Sequence, residues 1–145
     1  MLTWLRLLWS KWLPGNAGAR GELLARRHLE SVAGLRIIAA NWRNPRDRRD
    51  ELDLVAMDGE VLVFVEIKTR SAGALVSGYY AVNDRKKRVV RRAAQAYLRR
   101  LKPVPRTIRF DIVEVALPRK GSRDKPDVRH FANVPLFAKH FRLGK

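Results

Sequence analysis

Two stretches of alternating residues meet at an Asp-Gly pair: Glu51 to Met57 on one side, Glu60 to Arg70 on the other, with Asp58-Gly59 between them. Alternation is the period of a half-buried strand, and Asp-Gly between two such runs signals a hairpin. This feature commits the middle of the chain to an antiparallel pair and sets its register. With Asp58 and Gly59 as the loop residues, Met57 faces Glu60, Asp53 faces Phe64 and Glu51 faces Glu66. Opposed side chains share a face, so Glu51, Asp53, Glu66 and Lys68 are expected on one side of the sheet. Asp53 and Glu66 become diagonal neighbours, roughly 7 to 8 Å apart at the backbone, which lets two carboxylates converge on one cation.

The flanking segments place other residues near this pair. A helix is expected from about Gly18 to Val32, with Gly34 as its stop and with Glu22 in line with Ala25, Leu29 and Val32 on the inward face. Gly18 and Gly21 lie on the same side and permit close approach of another element. Leu35 to Trp42 reads as a strand and Asn44 to Asp50 as an exposed loop. Residues 71–83 read as a connection, and Asp84 starts a helix running to about Leu101, ended by Pro103 and Pro105. A strand over Ile108 to Leu117, a charged loop over Pro118 to Pro126 and a short strand over Val128 to Val134 complete the pattern. Residues 1–14 suit a short amphipathic helix with Leu2, Leu5, Trp9, Trp12 and Leu13 near one face. The expected organisation is an extension at 1–15, one α/β domain at 16–135 and a basic tail at 136–145. A chain of 145 residues that is 46% hydrophobic supplies one sizeable core.

Charge narrows the partner. A formal net charge of +17 implies a polyanion, nucleic acid before an anionic membrane surface. The absence of cysteine excludes disulfides, thiolate catalysis and cysteine-ligated zinc. His28, His130 and His140 lack zinc-ligand spacing, so a metal here rests on oxygen ligands. No apolar run is long enough to span a bilayer, and the apolar N-terminus is interrupted by Arg6 and Lys11, so a cytoplasmic location is expected.

Carboxylates held among Val, Leu and Phe repel each other unless a hard cation such as Mg²⁺ or Mn²⁺ neutralises them. The chemistry such a site suits is phosphodiester hydrolysis, in which the metal polarises a phosphoryl oxygen and activates water. Lys68, on the same face as Glu66, is placed to orient that water, to stabilise developing negative charge or, with a lowered pKa, to act as a base.

Short motifs then line up in order: Gly18-Ala-Arg-Gly-Glu22, Asn41-Trp-Arg43, Glu51-Leu-Asp53-Leu-Val55, Val63-Phe-Val-Glu-Ile-Lys-Thr-Arg70, Arg85-Lys86 with Ala93-Ala94-Gln-Ala-Tyr97-Leu98, and Arg109-Phe-Asp111. Together, over residues 16–135, they resemble the bacterial YraN-like family, grouped with Holliday-junction-resolvase-like members of the PD-(D/E)xK restriction-endonuclease-like superfamily. The resemblance implies an αβββαβ core with a central mixed sheet flanked by helices. It also implies a catalytic and metal-binding set of Glu22, Asp53 and Glu66 with Lys68 as catalytic lysine, and pairing of two copies into a homodimer. One departure is Asp50, where the family usually has Gly; it adds a carboxylate near the site.

On the helix from Asp84, Lys86 falls in line with Val90, Ala93 and Tyr97 and is the candidate contact to the scissile phosphate. Lys87, Arg88, Arg91 and Arg92 fan across the outer sides, and no acidic residue occurs between Arg85 and Arg109. With Arg70 these residues are the expected nucleic-acid contacts. Trp42 and Tyr97 are expected in the core, and Asp111 is expected to be a structural carboxylate. The sequence thus points to an Mg²⁺- or Mn²⁺-dependent endonuclease acting on DNA rather than RNA, with branched or junction DNA as the expected substrate. The alternatives are a nucleic-acid-binding protein that keeps the fold without the catalysis, and a membrane-surface adaptor that uses residues 1–13.

Overall fold

Helix α1, Ala17–Ser31, forms because apolar or small residues recur four apart: Ala17, Gly21, Ala25 and Leu29 are buried, while Arg20, Arg27 and Glu30 stay outside. Its last turn closes on Val32, and Gly34 redirects the chain with a φ of +72°. Val32 was expected on the inward face and is instead 72% exposed, because it caps the helix rather than belonging to it. The computed structural model describes residues 16–72 and 83–137. The helix expected over 1–14, most of the connection expected at 71–83 and most of the tail expected at 136–145 lie outside the described residues.

After α1 come strands β1 (Arg36–Asn44), β2 (Asp47–Asp58) and β3 (Val61–Ser71), helix α2 (Asp84–Leu98), and strands β4 (Thr107–Leu117) and β5 (Asp127–Phe131). The five strands form one sheet in sequence order. Neighbours are antiparallel except β3 and β4, which run parallel and are linked through α2. This is an α/β fold with a mixed sheet between two helices, the arrangement expected of a restriction-endonuclease-like core, with β5 added at the far edge. Among the described residues no helix is long and apolar enough to cross a membrane.

Both faces of the sheet are covered. Leu52, Val55, Leu62, Phe64, Phe110 and Ile112 pack with Val90, Ala93, Ala94, Tyr97 and Leu98 of α2. Leu54, Ala56, Val63, Val65, Val113 and Val115 pack with Ala25 and Leu29 of α1. Double coverage explains why β3 and β4 are nearly continuous apolar runs, the habit of strands buried on both sides. Phe64 and Phe110, each at most 2% exposed, contribute up to about 3 kcal/mol apiece by burial. As expected, Tyr97 is core: its ring meets those of Trp42 and Phe64 edge-on at centroid distances of 5.3 and 6.1 Å.

The hairpin register differs from the expected one by two residues. Asp58 pairs with Val61 and Met57 with Leu62, so the loop residues are Gly59 and Glu60 rather than Asp58 and Gly59. Gly59 has a φ of +58°, and glycine at the first loop position is the requirement of a type II′ turn. A slip of two keeps the side chains of the paired stretch, Leu54 to Asp58 and Val61 to Val65, on their expected faces, and continued one step past the last pair it would set Asp53 opposite Glu66 rather than on the diagonal.

Three element boundaries also shift. The loop expected over Asn44 to Asp50 shrinks to Pro45 and Arg46, because Asn44 pairs with Asp47 and the charged residues after it continue as strand. The Asn44 side chain accepts from the Arg46 amide at 3.1 Å, and Asp47 accepts from the Arg49 amide at 3.1 Å and its guanidinium at 2.9 to 3.0 Å. Arg49 holds the Asp47 carboxyl down at a pKa of about 2. Helix α2 ends at Leu98, three residues early, as amides of Arg100 and Leu101 fold back onto carbonyls three residues before them. Strand β5 stops at Phe131 because Asn133 turns through a left-handed φ of +57° and donates its amide to Asp111.

Gly21 sets the distance between α1 and the sheet. A Cβ added there would lie 2.0 Å from Thr69 Oγ1 and 2.9 Å from Thr69 Cβ on β3, whereas Gly18 has open space around it. Of the two glycines expected to admit close approach, only Gly21 does so. Gly21→Ala is expected to cost about 1–3 kcal/mol through overpacking, read as a lower urea midpoint. Stability equal to wild type would show that α1 floats free of β3.

Candidate active site

Glu66 lies on β3 between Phe64 and Lys68, on the face that meets α2. The residue is 3% exposed, and its Oε1 receives two ammoniums: Lys68 Nζ from the same strand and Lys86 Nζ from the first turn of α2, each at 3.3 Å. Lys86 is positioned by its helix start. The Asn83 side chain caps α2 by accepting the Lys86 amide at 3.0 Å, which orients the first turn toward β3. Burial works against the Glu66 charge, but Lys86 and Lys68 outweigh it and hold the carboxyl below its ordinary pKa. Burial likewise disfavours charged Lys86, and the fields of Glu66, Asp53 and Glu51 overcome this and raise its pKa. Three carboxylates therefore act on one ammonium.

Asp53 sits where the sheet opens. Pairing of β2 with β3 runs from Asp58↔Val61 to Leu54↔Val65, and there it stops, while β2 stays paired with β1 as far as Asp47. One step further would set Asp53 opposite Glu66. Instead the Asp53 carboxylate, in a residue 8% exposed, accepts the Ile67 amide at 2.8 Å in place of a backbone carbonyl. Strand alternation also breaks here, since Leu52 and Val55 pack into the same core although three residues apart. An acidic side chain substituting for the ladder where two strands part is a placement that packing alone does not require.

Glu22 reaches this region from the opposite face, on α1. It is half-buried and its Oε1 accepts from Asn41 Nδ2 at 3.0 Å. Asn41 lies between the pairs Ala40↔Leu54 and Trp42↔Leu52, across from Asp53. Its φ of +52° is a left-handed conformation that asparagine tolerates better than most residues. The fold thus draws Glu22, Asp53, Glu66 and Lys68 to the same end of the sheet, with Glu22 tied to its rim through Asn41. Among the described residues no three acidic or histidine side chains gather as a ready metal cluster. The arrangement is a carboxylate pair with two ammoniums.

The expected nucleic-acid contacts divide into two groups. Arg70 is bonded to Glu114, which is 1% exposed, and Arg92 donates to Asp50 at 3.0 and 3.2 Å. Arg70 is paired within the sheet and Arg92, with 56% of its side chain exposed, is paired with Asp50, which thereby ties β2 to α2. Lys86 faces the carboxylates. Lys87, Arg88 and Arg91 have no carboxylate within ion-pairing distance among the described residues, and Arg88 is exposed. Sequence reasoning missed Asn41 and Glu114. Glu114 left a trace, a lone charge inside the apolar run Ile112 to Leu117, which demands a buried partner.

Asp111 is a structural carboxylate, as expected. It is fully buried and accepts from Arg109 at 2.8 and 3.0 Å, from the Asn133 amide at 3.0 Å and from His130 Nε2 at 2.7 Å.

Residues 21–115, which include every residue of this site, match the family described as "Uncharacterised protein family UPF0102". The chain belongs to the UPF0102 family. This is the YraN-like family that its motifs resemble. A UPF0102 protein of Parafrankia is 45% identical over 105 residues, 72% of this chain and 86% of its own length. One from Alkaliphilus oremlandii is 39% identical over 119 residues, 81% and 95%, and one from Symbiobacterium thermophilum is 47% identical over 100 residues, 69% and 81%. The matches span 81% to 95% of these relatives' own lengths.

Proposed function

We propose that this UPF0102 protein is a metal-dependent endonuclease that hydrolyses phosphodiester bonds in DNA and selects branched or junction structures by shape. The observation that carries this reading is the Asp53–Glu66 pair, poised where β2 leaves β3, with two lysines on Glu66. The donor set fits Mg²⁺ or Mn²⁺. Such ions take one or two carboxylates and complete their shell with water and substrate phosphate rather than with a full protein cage. Asp53 and Glu66 are the residues that would hold the ion, with Glu22 at the rim.

The chemistry supplied by the ion is electrophilic activation of the phosphoryl group and a more acidic attacking water. Lys68 holds a fixed positive charge beside Glu66, where negative charge grows as the phosphorus is attacked. Lys86 is the second cation, available to a non-bridging phosphate oxygen. Lys87, Arg88 and Arg91 extend the positive surface along α2 and grip the backbone without reading bases.

Purified protein incubated with supercoiled, linear, single-stranded and four-way-junction DNA, in Mg²⁺, Mn²⁺ or EDTA, tests this reading. Metal-dependent nicking that Asp53→Ala and Glu66→Ala abolish is the expected result. Nicking that both variants retain would refute it. The second reading, a binding protein without catalysis, is favoured by the absence of a third gathered acid among the described residues, and DNA binding without cleavage under every condition would select it. Both readings require phosphate contacts. Duplex affinity is expected to fall with salt, at a log–log slope of about −0.9 per phosphate neutralised, and Arg88→Ala is expected to flatten that slope by about one. Fluorescence anisotropy checks this, and an unchanged slope would remove Arg88 from the contact surface.

A further inference from the structure

One carboxylate needs one ammonium, and Glu66 has two. Lys68 is two residues along the same strand, so its position follows from the sheet. Lys86 comes from a different element, yet its ammonium ends 3.3 Å from the same oxygen with only 14% of the side chain exposed. The excess makes sense over the whole group. Glu66, Asp53 and Glu51 are three negative charges, and Lys68, Lys86 and Arg43, the last 3.7 Å from Glu51, are three positive ones. With Lys86 in place, its positive charge stands beside Glu66, in the field of Asp53 and Glu51, and opposes a dication there. With the Lys86 head turned away, that opposition is gone.

We infer that Lys86 is a built-in counter-cation for the Asp53–Glu66 pair, one that a divalent ion must displace, so that this lysine sets how tightly the site takes up metal. The inference rests on the reading of Asp53 and Glu66 as the cation-holding pair. A lysine suits the role, because its four-carbon stem lets the head swing while the capped backbone stays fixed. The displaced ammonium then needs an anion, and a phosphodiester oxygen at the same site provides one. Metal and DNA backbone thereby support each other's binding. A protein with this device stays out of service at free-metal levels that suffice once a phosphate is present.

Manganese titration followed by electron paramagnetic resonance, on the full chain without DNA, tests the idea. Lys86→Met is expected to bind Mn²⁺ about tenfold more tightly than wild type or better, within the 5- to 150-fold range of ordinary coupling between sites. Lys86→Arg, which keeps the charge, is expected to match wild type. Lys86→Gln serves as the second uncharged variant, and circular dichroism in EDTA verifies folding. Equal or weaker Mn²⁺ affinity in folded Lys86→Met or Lys86→Gln overturns the inference, as does Mn²⁺ uptake that ignores Asp53→Asn. Tighter Mn²⁺ binding by the uncharged variants, with no nicking by any protein, would retire the endonuclease reading and leave this inference standing.

Discussion

Asp111→Ala is expected to remove about 3 kcal/mol or more of folding stability, because deleting one partner of a buried charge pair strands the other. Asp111 is fully buried and collects Arg109, His130 and the Asn133 amide. These groups come from β4, β5 and the turn that ends β5, so the carboxylate joins the edge strand to the sheet. Arg109 keeps a second partner in Asp58 at 2.8 Å, which sets the expectation at the lower end of the usual 3–5 kcal/mol for such a loss. The effect carries a pH signature. Burial raises the Asp111 pKa, but bonds from His130, Arg109 and Asn133 outweigh it, and the folded value lies below the ordinary one. A depressed carboxyl contributes stability that is present above its unfolded pKa of about 3.9 and is lost as pH falls through the folded value. The difference between wild type and Asp111→Ala in urea midpoint is therefore expected to be full at pH 7 and to shrink in acid below about pH 4. An unfolding free energy at pH 7 within about 0.5 kcal/mol of wild type, the range of an ordinary surface substitution, would show that the cluster contributes little.

If the protein is the endonuclease proposed above, substitutions in the carboxylate pair are expected to carry the largest catalytic effect. Removing a ligand of the activating cation forfeits several kcal/mol of transition-state stabilisation, and at 1.36 kcal/mol per decade nicking by Asp53→Ala is expected to fall about a thousandfold or more. Asp53→Asn is the sharper variant. Its amide oxygen can still accept the Ile67 amide that Asp53 now holds at 2.8 Å, so the parting of β2 from β3 is expected to persist while the charge is gone. Glu66→Ala mixes two effects, because it leaves Lys68 and Lys86 facing each other at sites only 11% and 14% exposed. Loss of nicking with duplex affinity in EDTA unchanged, measured for Asp53→Asn by plasmid relaxation and anisotropy, is the expected pattern. Retained nicking would remove Asp53 from the chemistry.

Much of this site was legible because strand periodicity survives errors of register. The turn was placed one residue and the register two residues from where they lie, yet the paired residues kept their faces, since a slip of two preserves the faces and only a slip of one reverses them. The inward placement of Glu22 was half legible. Ala25 and Leu29 are buried as helical spacing requires, but the link from Glu22 to Asn41 depends on a left-handed asparagine in β1, which no periodicity announces. Charge pairing was less legible. Arg70 and Arg92 have the same sequence character as Arg88, and what distinguishes them is a buried acid on a neighbouring element, Glu114 and Asp50, whereas helical spacing had already turned Lys86 inward. Tertiary pairing of that kind is written in no local pattern. The N-terminal half of β2 was hidden for a related reason, since its charged residues look like loop and hold strand geometry through pairing with β1.

Crystals of the wild-type protein grown at saturating Mn²⁺ would test the account most directly through anomalous scattering. A manganese peak within coordination distance of both Asp53 and Glu66, with the Lys86 head moved off the Glu66 carboxylate, is the expected result. Manganese bound at other side chains, with nothing between Asp53 and Glu66, would contradict it.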